Sequence, residues 1–469
     1  MAHIWQRLIW RGLRSGEWLT AARSRAYALI LLVICALAII GWLAVSRGLI
    51  DPNGKPIGTD FSNVFAAGEL TWQGKPADAY VPALQHAAEK ATFGGREVPF
   101  FGWHYPPFFL AIAFLAAAVP YAWGLALWLA ASCAAYLAAI RAILPRGADL
   151  TFATLQAARS QRERQIQSST RVNILASGPL IPTFAKVLAA KGCECWNRTT
   201  RPGTMLIAAA FPAVFVNVGH GQNGFLTAAL LGGALQMLDR RPWLAGVLIG
   251  LLAYKPQFGV LIPLALLAGQ RWNSIAAAIA TIAALVVISF ATLGSGVWHA
   301  FVDSMNFTQI VVLEQGGTGW EKIQSAFSAA RNWGADVKTA YAVQTALAVM
   351  LAATLASLWR SDAAFELKAS ALATASLLAT PYVLDYDLVV LAVAIAFLAR
   401  HGFARGFRDY EISLLAAAWL LPLVSRGVAG ATGIPLGLIV MLALYGCTLH
   451  RAQQDRKSSS NIPVRVAQA

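Results

Sequence analysis

Charged residues are scarce in this chain. They make up 13% of its 469 residues, whereas hydrophobic residues make up 58%. This composition excludes a large soluble domain and predicts an integral membrane protein, long enough for ten or more spans of about 20 residues. The net charge of +15 sits mainly at the ends of apolar runs. It therefore indicates loops anchored on the cytoplasmic side of a membrane, and no nucleic-acid surface.

Cysteine is also rare, with five residues in the chain. Cys35, Cys133 and Cys447 lie inside apolar runs, and Cys193 and Cys195 share one polar segment. None lies in the long loop after the first apolar run, so no disulfide framework is expected outside the cytoplasm. A Cys-x-Cys pair lacks the two further ligands of a zinc site, so no metal site is predicted.

Two other features are missing. The sequence has no glycine-rich phosphate loop and no pattern of a nucleotide-binding fold. ATP and a nucleotide sugar are therefore not expected as ligands, and no cofactor is predicted.

The N-terminal segment 1–25 is basic and amphipathic. The apolar run that follows it, 26–46, is longer than the core of a cleaved signal peptide, so we interpret it as a membrane span. Two interpretations of 1–25 remain open. It is either a helix lying on the anionic cytoplasmic leaflet or a basic flank that sets the orientation of the first span.

Long apolar runs dominate the rest of the chain and predict an all-α polytopic membrane protein with about 10–12 transmembrane helices. The candidate spans are 26–46, 122–144, 203–218, 223–238, 243–255, 256–268, 273–294, 339–359, 364–380, 383–400, 411–425 and 431–449. With the N-terminus inside, the ends of the even-numbered spans carry Arg or Lys, as the positive-inside bias requires. Both termini are thus predicted to be cytoplasmic, with 450–469 as a basic tail.

This topology depends on two short segments. The run 108–119 must be a juxtamembrane or re-entrant helix, since about 12 residues cannot cross about 30 Å of hydrocarbon. The run 243–268 must consist of two half-spans that meet at Lys255 and Pro256. Short helices interrupted by proline are tolerated where they line a cavity.

The segment 147–202 breaks the hydropathy pattern because it is polar and rich in Gln, Ser, Thr and Arg. Joining Arg146 to Gly203 would leave an ordinary short turn between two spans. We interpret 147–202 as a cytoplasmic, partly disordered insertion in a transmembrane domain that otherwise runs from 26 to 449.

On the predicted topology, conspicuous polar residues collect on the outer face. They lie in a first outer loop (47–107), a second outer loop (295–338) and the short connections between spans. Asp60 follows the first span closely, and a partly buried carboxylate there is suited to deprotonating a hydroxyl group. The alternative is a solvated loop acid or the N-cap of a helix.

Further candidate binding residues share this face. Lys255 lies in an apolar run, where a cation needs an anionic partner, either a lipid phosphate or Asp385 or Asp387. Amide, imidazole and hydroxyl groups nearby are suited to a sugar or a phosphate, with helix capping as the alternative for Asn223. The remaining candidates are His104, Tyr105, His220, Gln222, Gln257 and Arg426.

Several short motifs occur in a characteristic order. Asp60 is followed by Gly-Lys-Pro-Ala-Asp-Ala-Tyr at 74–80 and His-Tyr-Pro-Pro at 104–107. Gly-His-Gly-Gln-Asn at 219–223, Lys-Pro-Gln at 255–257 and Thr-Pro-Tyr at 380–382 come later. In this order they resemble glycosyltransferase family 87, of the GT-C superfamily, over nearly the whole chain except 147–202.

The resemblance implies a GT-C-like membrane enzyme of the cell envelope, in a bacterial-type plasma membrane, with an extracytoplasmic active site. It implies an inverting transfer of a hexose, mannose first, from a polyprenyl phosphate sugar to a glycan or glycolipid hydroxyl, and it maps the family's first-loop aspartate onto Asp60. Around 381–387 the sequence departs from the mannosyl pattern, so the sugar stays open. A lipid or solute transporter or flippase, or a non-catalytic assembly protein, is the alternative.

Overall fold

The computed structural model describes residues 10–144 and 201–460. These residues form helices joined by turns, and they contain no β-sheet beyond isolated bridges. We number the α-helices in chain order: α1 Ala21–Val45, α2 Thr59–Trp72, α3 Pro82–Thr92, α4 Leu110–Ala116, α5 Tyr121–Ile143, α6 Arg201–Ala209, α7 Pro212–His220, α8 Gly224–Met237, α9 Pro242–Leu251, α10 Ile262–Ala268, α11 Trp272–Leu293, α12 Ser295–Phe307, α13 Ala326–Asn332, α14 Val337–Arg360, α15 Phe365–Leu378, α16 Leu391–Arg405, α17 Glu411–Thr432 and α18 Leu436–Ser460.

The all-α polytopic membrane architecture is confirmed. Seven helices in the described ranges are long and apolar enough to cross a membrane, and α6 and α7 form an eighth candidate bent by 45°. Six of the seven are α1, α5, α11, α14, α17 and α18. The seventh is the run Asp385–Arg405, which ends with α16. Shorter apolar helices, among them α8, account for other predicted spans.

The predicted break at Lys255 and Pro256 is present. Helix α9 ends at Leu251, two 3₁₀ turns follow at Leu252–Tyr254 and Pro256–Gly259, and α10 begins at Ile262. Proline at position 256 has no backbone N–H to continue a helix, which explains the interruption. Lys255 is buried at this break, where α8 packs against the first turn and α15 packs against the second.

The first outer loop is folded into the body of the protein. Nine residues of α2 are buried, and α2 packs against both α3 and α4. Gly68 permits the close approach of α2 and α4, because a Cβ there would collide with the backbone of Ala113. Helix α4 has only seven residues, as expected of a segment too short to span a bilayer.

The second outer loop is tied to the segment that precedes α16. It contains α12, a π-helix at Thr308–Glu314, a 3₁₀ turn at Trp320–Lys322 and α13. Ile323 forms a β-bridge with Leu384, and the backbone N–H of Gln324 donates to the Val383 carbonyl at 2.8 Å. These bonds place the Trp320–Lys322 turn beside the 3₁₀ turn Asp385–Val390.

Residues at the predicted cytoplasmic end form ion pairs. The N-terminal segment contacts the start of α17, where Arg14 Nε lies 2.7 Å from Asp409 Oδ2 and Trp18 Nε1 donates to Ser413 Oγ at 2.9 Å. The predicted basic tail begins within α18, where Arg451 is buried and pairs with Glu411 at 2.8 Å. The predicted insertion 147–202 lies almost entirely outside the described residues.

Candidate active site

Four parts of the chain converge on one polar cluster, and each contributes residues where a helix begins, ends or breaks. They are the start of α2, the turn between α7 and α8, the break after α9, and the 3₁₀ turn Asp385–Val390. Helix α7 and helix α8 both pack against that turn. Because helix ends leave backbone groups unpaired, they tolerate polar side chains that a helix interior would not.

Asp60 lies in the first turn of α2, preceded by Gly58 with φ 71°. Its Oδ2 atom is 3.7 Å from His220 Nδ1, and its side chain is 17% exposed. Thr59 Oγ1 lies 2.8 Å from the same His220 nitrogen. Burial raises the pKa of Asp60, while His220 and a hydrogen bond with Gln222 act in the opposite direction. Asp60 thus lies in the first turn of a helix and faces the cluster, but it is not the N-cap, because Gly58 occupies that position without a side-chain capping bond.

The turn at 220–223 orients three polar side chains. Helix α7 ends at His220, and Gly221 adopts φ 64°, which reverses the chain. Asn223 precedes α8 without a side-chain capping bond. Its Nδ2 donates instead to Tyr105 Oη at 2.7 Å, and the Tyr105 hydroxyl lies 3.4 Å from Gln222 Oε1. The capping interpretation of Asn223 is therefore not what the structure shows.

Lys255 has an internal partner. Its Nζ lies 2.7 Å from Asp387 Oδ1, and the two side chains are 6% and 2% exposed. The ammonium also lies 5.3 Å from the ring centroid of Tyr386. Asp387 Oδ2 accepts from the backbone N–H of Leu384 at 3.1 Å. Of the two alternatives for Lys255, the structure shows the carboxylate partner.

A group of cations lies beside this buried pair. Arg426 Nη1 is 3.6 Å from Asp385 Oδ2, and Arg426 remains 46% exposed. Lys322 is half-buried, and its pKa is lowered by burial and by the charges of Arg426 and Lys55. We call Lys55, Lys322 and Arg426 the basic patch.

Sequence reasoning missed Lys55 and Lys322 as site residues. They lie in different outer loops, and only the folded chain brings them together. The Tyr386 ring, which lies against both Lys255 and His220, was not predicted either.

Two predicted residues stand apart from these contacts. His104 Nδ1 lies 2.7 Å from Thr308 Oγ1 in the π-helix of the second outer loop, and burial lowers the pKa of His104 to about 4. A neutral histidine tied to Thr308 is better suited to joining the two outer loops than to binding an anion. Gln257 is half-buried, two residues beyond Lys255 in the second 3₁₀ turn.

The site contains a partly buried carboxylate, hydroxyl groups and amide groups. The basic patch lies beside it, where Arg426 contacts Asp385. Within 10–144 and 201–460, no three metal-ligating side chains lie close enough to hold an ion. The groups present are suited to proton transfer from a hydroxyl and to binding an anion.

Comparison with known proteins identifies one family. The sequence model of glycosyltransferase family 87 matches residues 103–381, which is more than half of the chain. The matched range contains the turn at 220–223 and the break at Lys255, whereas Asp60, the Asp385–Asp387 segment and Arg426 lie outside it. No curated protein and no solved structure matches the chain.

Proposed function

Because the chain belongs to glycosyltransferase family 87 and is therefore a membrane glycosyltransferase, we propose that it uses a polyprenyl phosphate sugar as donor. The sugar is a hexose, with mannose the first candidate, and the acceptor is a hydroxyl of an extracytoplasmic glycan or glycolipid. One observation carries the proposal. Asp60 lies against His220, and the helix that ends at His220 packs against the turn in which Asp385 lies 3.6 Å from an exposed cation, Arg426.

Asp60 is the proposed general base. Its carboxylate accepts the proton of the acceptor hydroxyl, whose oxygen forms a bond to the anomeric carbon from the face opposite the phosphate. The bond from that carbon to the phosphate oxygen breaks, and the polyprenyl phosphate leaves with the electron pair. The configuration at the anomeric carbon is inverted. Burial raises the pKa of Asp60, which makes it a stronger base than a solvated carboxylate.

The basic patch is the proposed binding site for the donor phosphate. The three cations of the basic patch lie near two carboxylates, Asp385 and Glu321, so the patch keeps a net positive charge. Stabilising the negative charge on the departing phosphate is the main electrostatic task of the reaction. Lys255 acts one step behind this surface, since it holds the Asp385–Val390 turn through Asp387.

The neighbouring polar groups are proposed to orient the reactants. His220 lies against Asp60 and fixes the direction of its carboxylate. Gln222 and Tyr105 present hydrogen-bonding groups beside Asp60, and both hydroxyl and amide groups suit a sugar.

The membrane supports the choice of donor. We propose that the site faces away from the cytoplasm in a bacterial-type plasma membrane, where a lipid-linked donor enters sideways from the bilayer. A transporter would also use a broken helix such as the one at Lys255 and Pro256. Family membership favours sugar transfer over that alternative.

Asp60→Asn tests the proposal directly. Asparagine keeps the size of the side chain but cannot accept a proton, so turnover should fall about 100-fold or more while donor affinity changes little. The measurement is transfer of labelled sugar from a defined polyprenyl phosphate by purified protein in lipid nanodiscs. Asp303→Asn, at an exposed acid of α12, is the matched control and should leave turnover unchanged. Near wild-type turnover in Asp60→Asn would remove Asp60 from the mechanism.

A further inference from the structure

Three buried side chains of α2 and α3 each have an oxygen without a hydrogen-bond donor. Glu89 and Gln85 are 0% exposed, and Asn63 is 5% exposed. The atoms concerned are Glu89 Oε1, Gln85 Oε1 and Asn63 Oδ1. Buried polar atoms are nearly always paired, so this group of acceptors requires a donor.

Glu89 itself is placed to supply that donor. Gln85 and Glu89 are four residues apart on one face of α3, so their side chains are neighbours, and each has an Oε1 atom without a partner. Gln85 already uses its Nε2 to donate to the Asn63 carbonyl at 3.0 Å. An ionised carboxylate has no hydrogen to give, whereas a carboxylic acid would donate from Oε1 to Gln85 Oε1 and pair both atoms.

The surroundings of Glu89 also favour the neutral form. The structure gives Glu89 no ion pair among the described residues, and the adjacent Lys90 pairs instead with Glu97 at 2.8 Å. The charged group that acts on Glu89 is Asp60, which has the same sign. A buried carboxylate without a cation, near another carboxylate, is expected to hold its proton.

We propose that Glu89 is a proton-bearing carboxylic acid that positions the catalytic helix α2 through Gln85. Its Oε1–H donates to Gln85 Oε1, and Gln85 Nε2 donates to the backbone carbonyl of Asn63. Asn63 lies in α2, three residues after Asp60. The other oxygen of Glu89 accepts from the backbone N–H of Phe101 at 3.1 Å. One side chain thereby connects α3, α2 and the segment that leads to Tyr105.

Ionisation of Glu89 would affect the site in two ways. It would break the bond to Gln85 Oε1, and it would place a second negative charge near Asp60. Burial raises the pKa of Glu89 to about 8, so the acid is mostly neutral at pH 7. The other ionisable groups on the packed elements are Glu69 of α2, Asp78 and Tyr80 of the turn before α3, Tyr121 of α5, and His86 and Lys90 of α3 itself.

The pH dependence of the thermal midpoint tests whether Glu89 carries a proton. In Glu89→Gln, the amide reproduces the neutral acid, donating to Gln85 and accepting from Phe101. The pKa of Glu89 is higher in the folded protein than in the unfolded chain. The unfolded chain therefore ionises first, and the free energy of unfolding of wild type falls as pH rises from about 4.5 to about 8. The thermal midpoint of Glu89→Gln should therefore exceed that of wild type by a margin that grows across this window and then levels off. A margin that does not change with pH would overturn the proposal.

Glu89→Leu separates the proton from simple bulk. It fills the space without either hydrogen bond, so its thermal midpoint should fall below that of Glu89→Gln at pH 7. Equal midpoints for the two variants would overturn the proposal, because they would show that the hydrogen bonds contribute nothing.

The positioning role rests on the proposed function and is tested by turnover. Glu89→Gln should keep wild-type turnover at pH 7 and lack the loss of turnover that wild type shows as pH rises through about 8. Glu89→Leu should lose about tenfold or more while folded. Loss of turnover in Glu89→Gln equal to that in Glu89→Leu would overturn the role. Wild-type protein without transfer activity would refute the proposed function alone, because the pH dependence of the midpoint decides the proton independently.

Discussion

Replacement of Lys255 by glutamine distinguishes a structural lysine from a phosphate ligand. In the structure the ammonium lies 2.7 Å from Asp387, and neither side chain is more than 6% exposed. Glutamine removes the positive charge, so the carboxylate of Asp387 stays buried without a cation and is held only by neutral donors such as the backbone N–H of Leu384 at 3.1 Å. Removing one partner of a buried ion pair typically costs about 3–5 kcal/mol, because the other charge is left uncompensated.

The expected result is thus a large loss of stability. It is measured as the thermal midpoint and the denaturant midpoint of purified Lys255→Gln, beside the Michaelis constant for a polyprenyl phosphate sugar. Lys90→Gln is the matched control, since Lys90 also pairs with a carboxylate, Glu97, but in an exposed position at 31% and 83%. Exposed pairs contribute at most about 1 kcal/mol, so this variant should remain close to wild type.

The double variant Lys255→Gln/Asp387→Asn completes the test. Two neutral amides can still bond to each other, so the double variant should recover much of the stability that Lys255→Gln loses. Together with the single variant Asp387→Asn, the double variant completes a double-mutant cycle, which gives the coupling energy of the pair. Unchanged stability in Lys255→Gln, together with a Michaelis constant raised tenfold or more, would refute this reasoning and return Lys255 to the donor phosphate.

Two further predictions concern the basic patch and the segment 147–202. Arg426→Gln and Lys322→Gln should each raise the Michaelis constant for the donor by about tenfold or more, the scale of a lost charge-assisted hydrogen bond. Their thermal midpoints should fall less than that of Lys255→Gln, because Arg426 is 46% exposed and lies 3.6 Å from Asp385. Unchanged donor use would exclude the patch as the phosphate site. Deleting 147–202 so that Arg146 meets Gly203 should preserve membrane insertion and transfer, since Leu144 and Gly203 line the same cavity between packed helices. Loss of expression on deletion would show that 147–202 supports the fold.

The sequence predicts the helices well because hydropathy and proline act locally. The break at Lys255 follows from Pro256, which has no backbone N–H to continue a helix. The run that contains α4 is too short to cross a bilayer, so its length alone predicts that it does not span. Much of the candidate site was predicted for a related reason. Polar residues at the ends of apolar runs, such as Asp60 and His220, are expected to pair with one another because contact with lipid is unfavourable.

The rest of the site depends on contacts between distant parts of the chain. Lys322 joins the basic patch only because the second outer loop bridges to Leu384. Glu89 reads in the sequence as an ordinary polar residue of an amphipathic helix, and its burial comes from packing of α3 against α2. His104 lies beside Tyr105 in sequence, yet its ring contacts Thr308.

Asp385 and Asp387 show most clearly where sequence reasoning ends. The two acids are separated by one residue and occur in the same 3₁₀ turn, so composition cannot tell which of them holds Lys255. In the folded turn Asp387 points inward to Lys255, whereas Asp385 lies beside the exposed Arg426. The charge of Asp387 is balanced by the buried cation of Lys255. Asp385 pairs instead with Arg426, which is exposed enough to bind a ligand. If the donor phosphate binds at the basic patch, it must therefore compete with Asp385 for Arg426, while the pair formed by Lys255 and Asp387 stays intact beneath it.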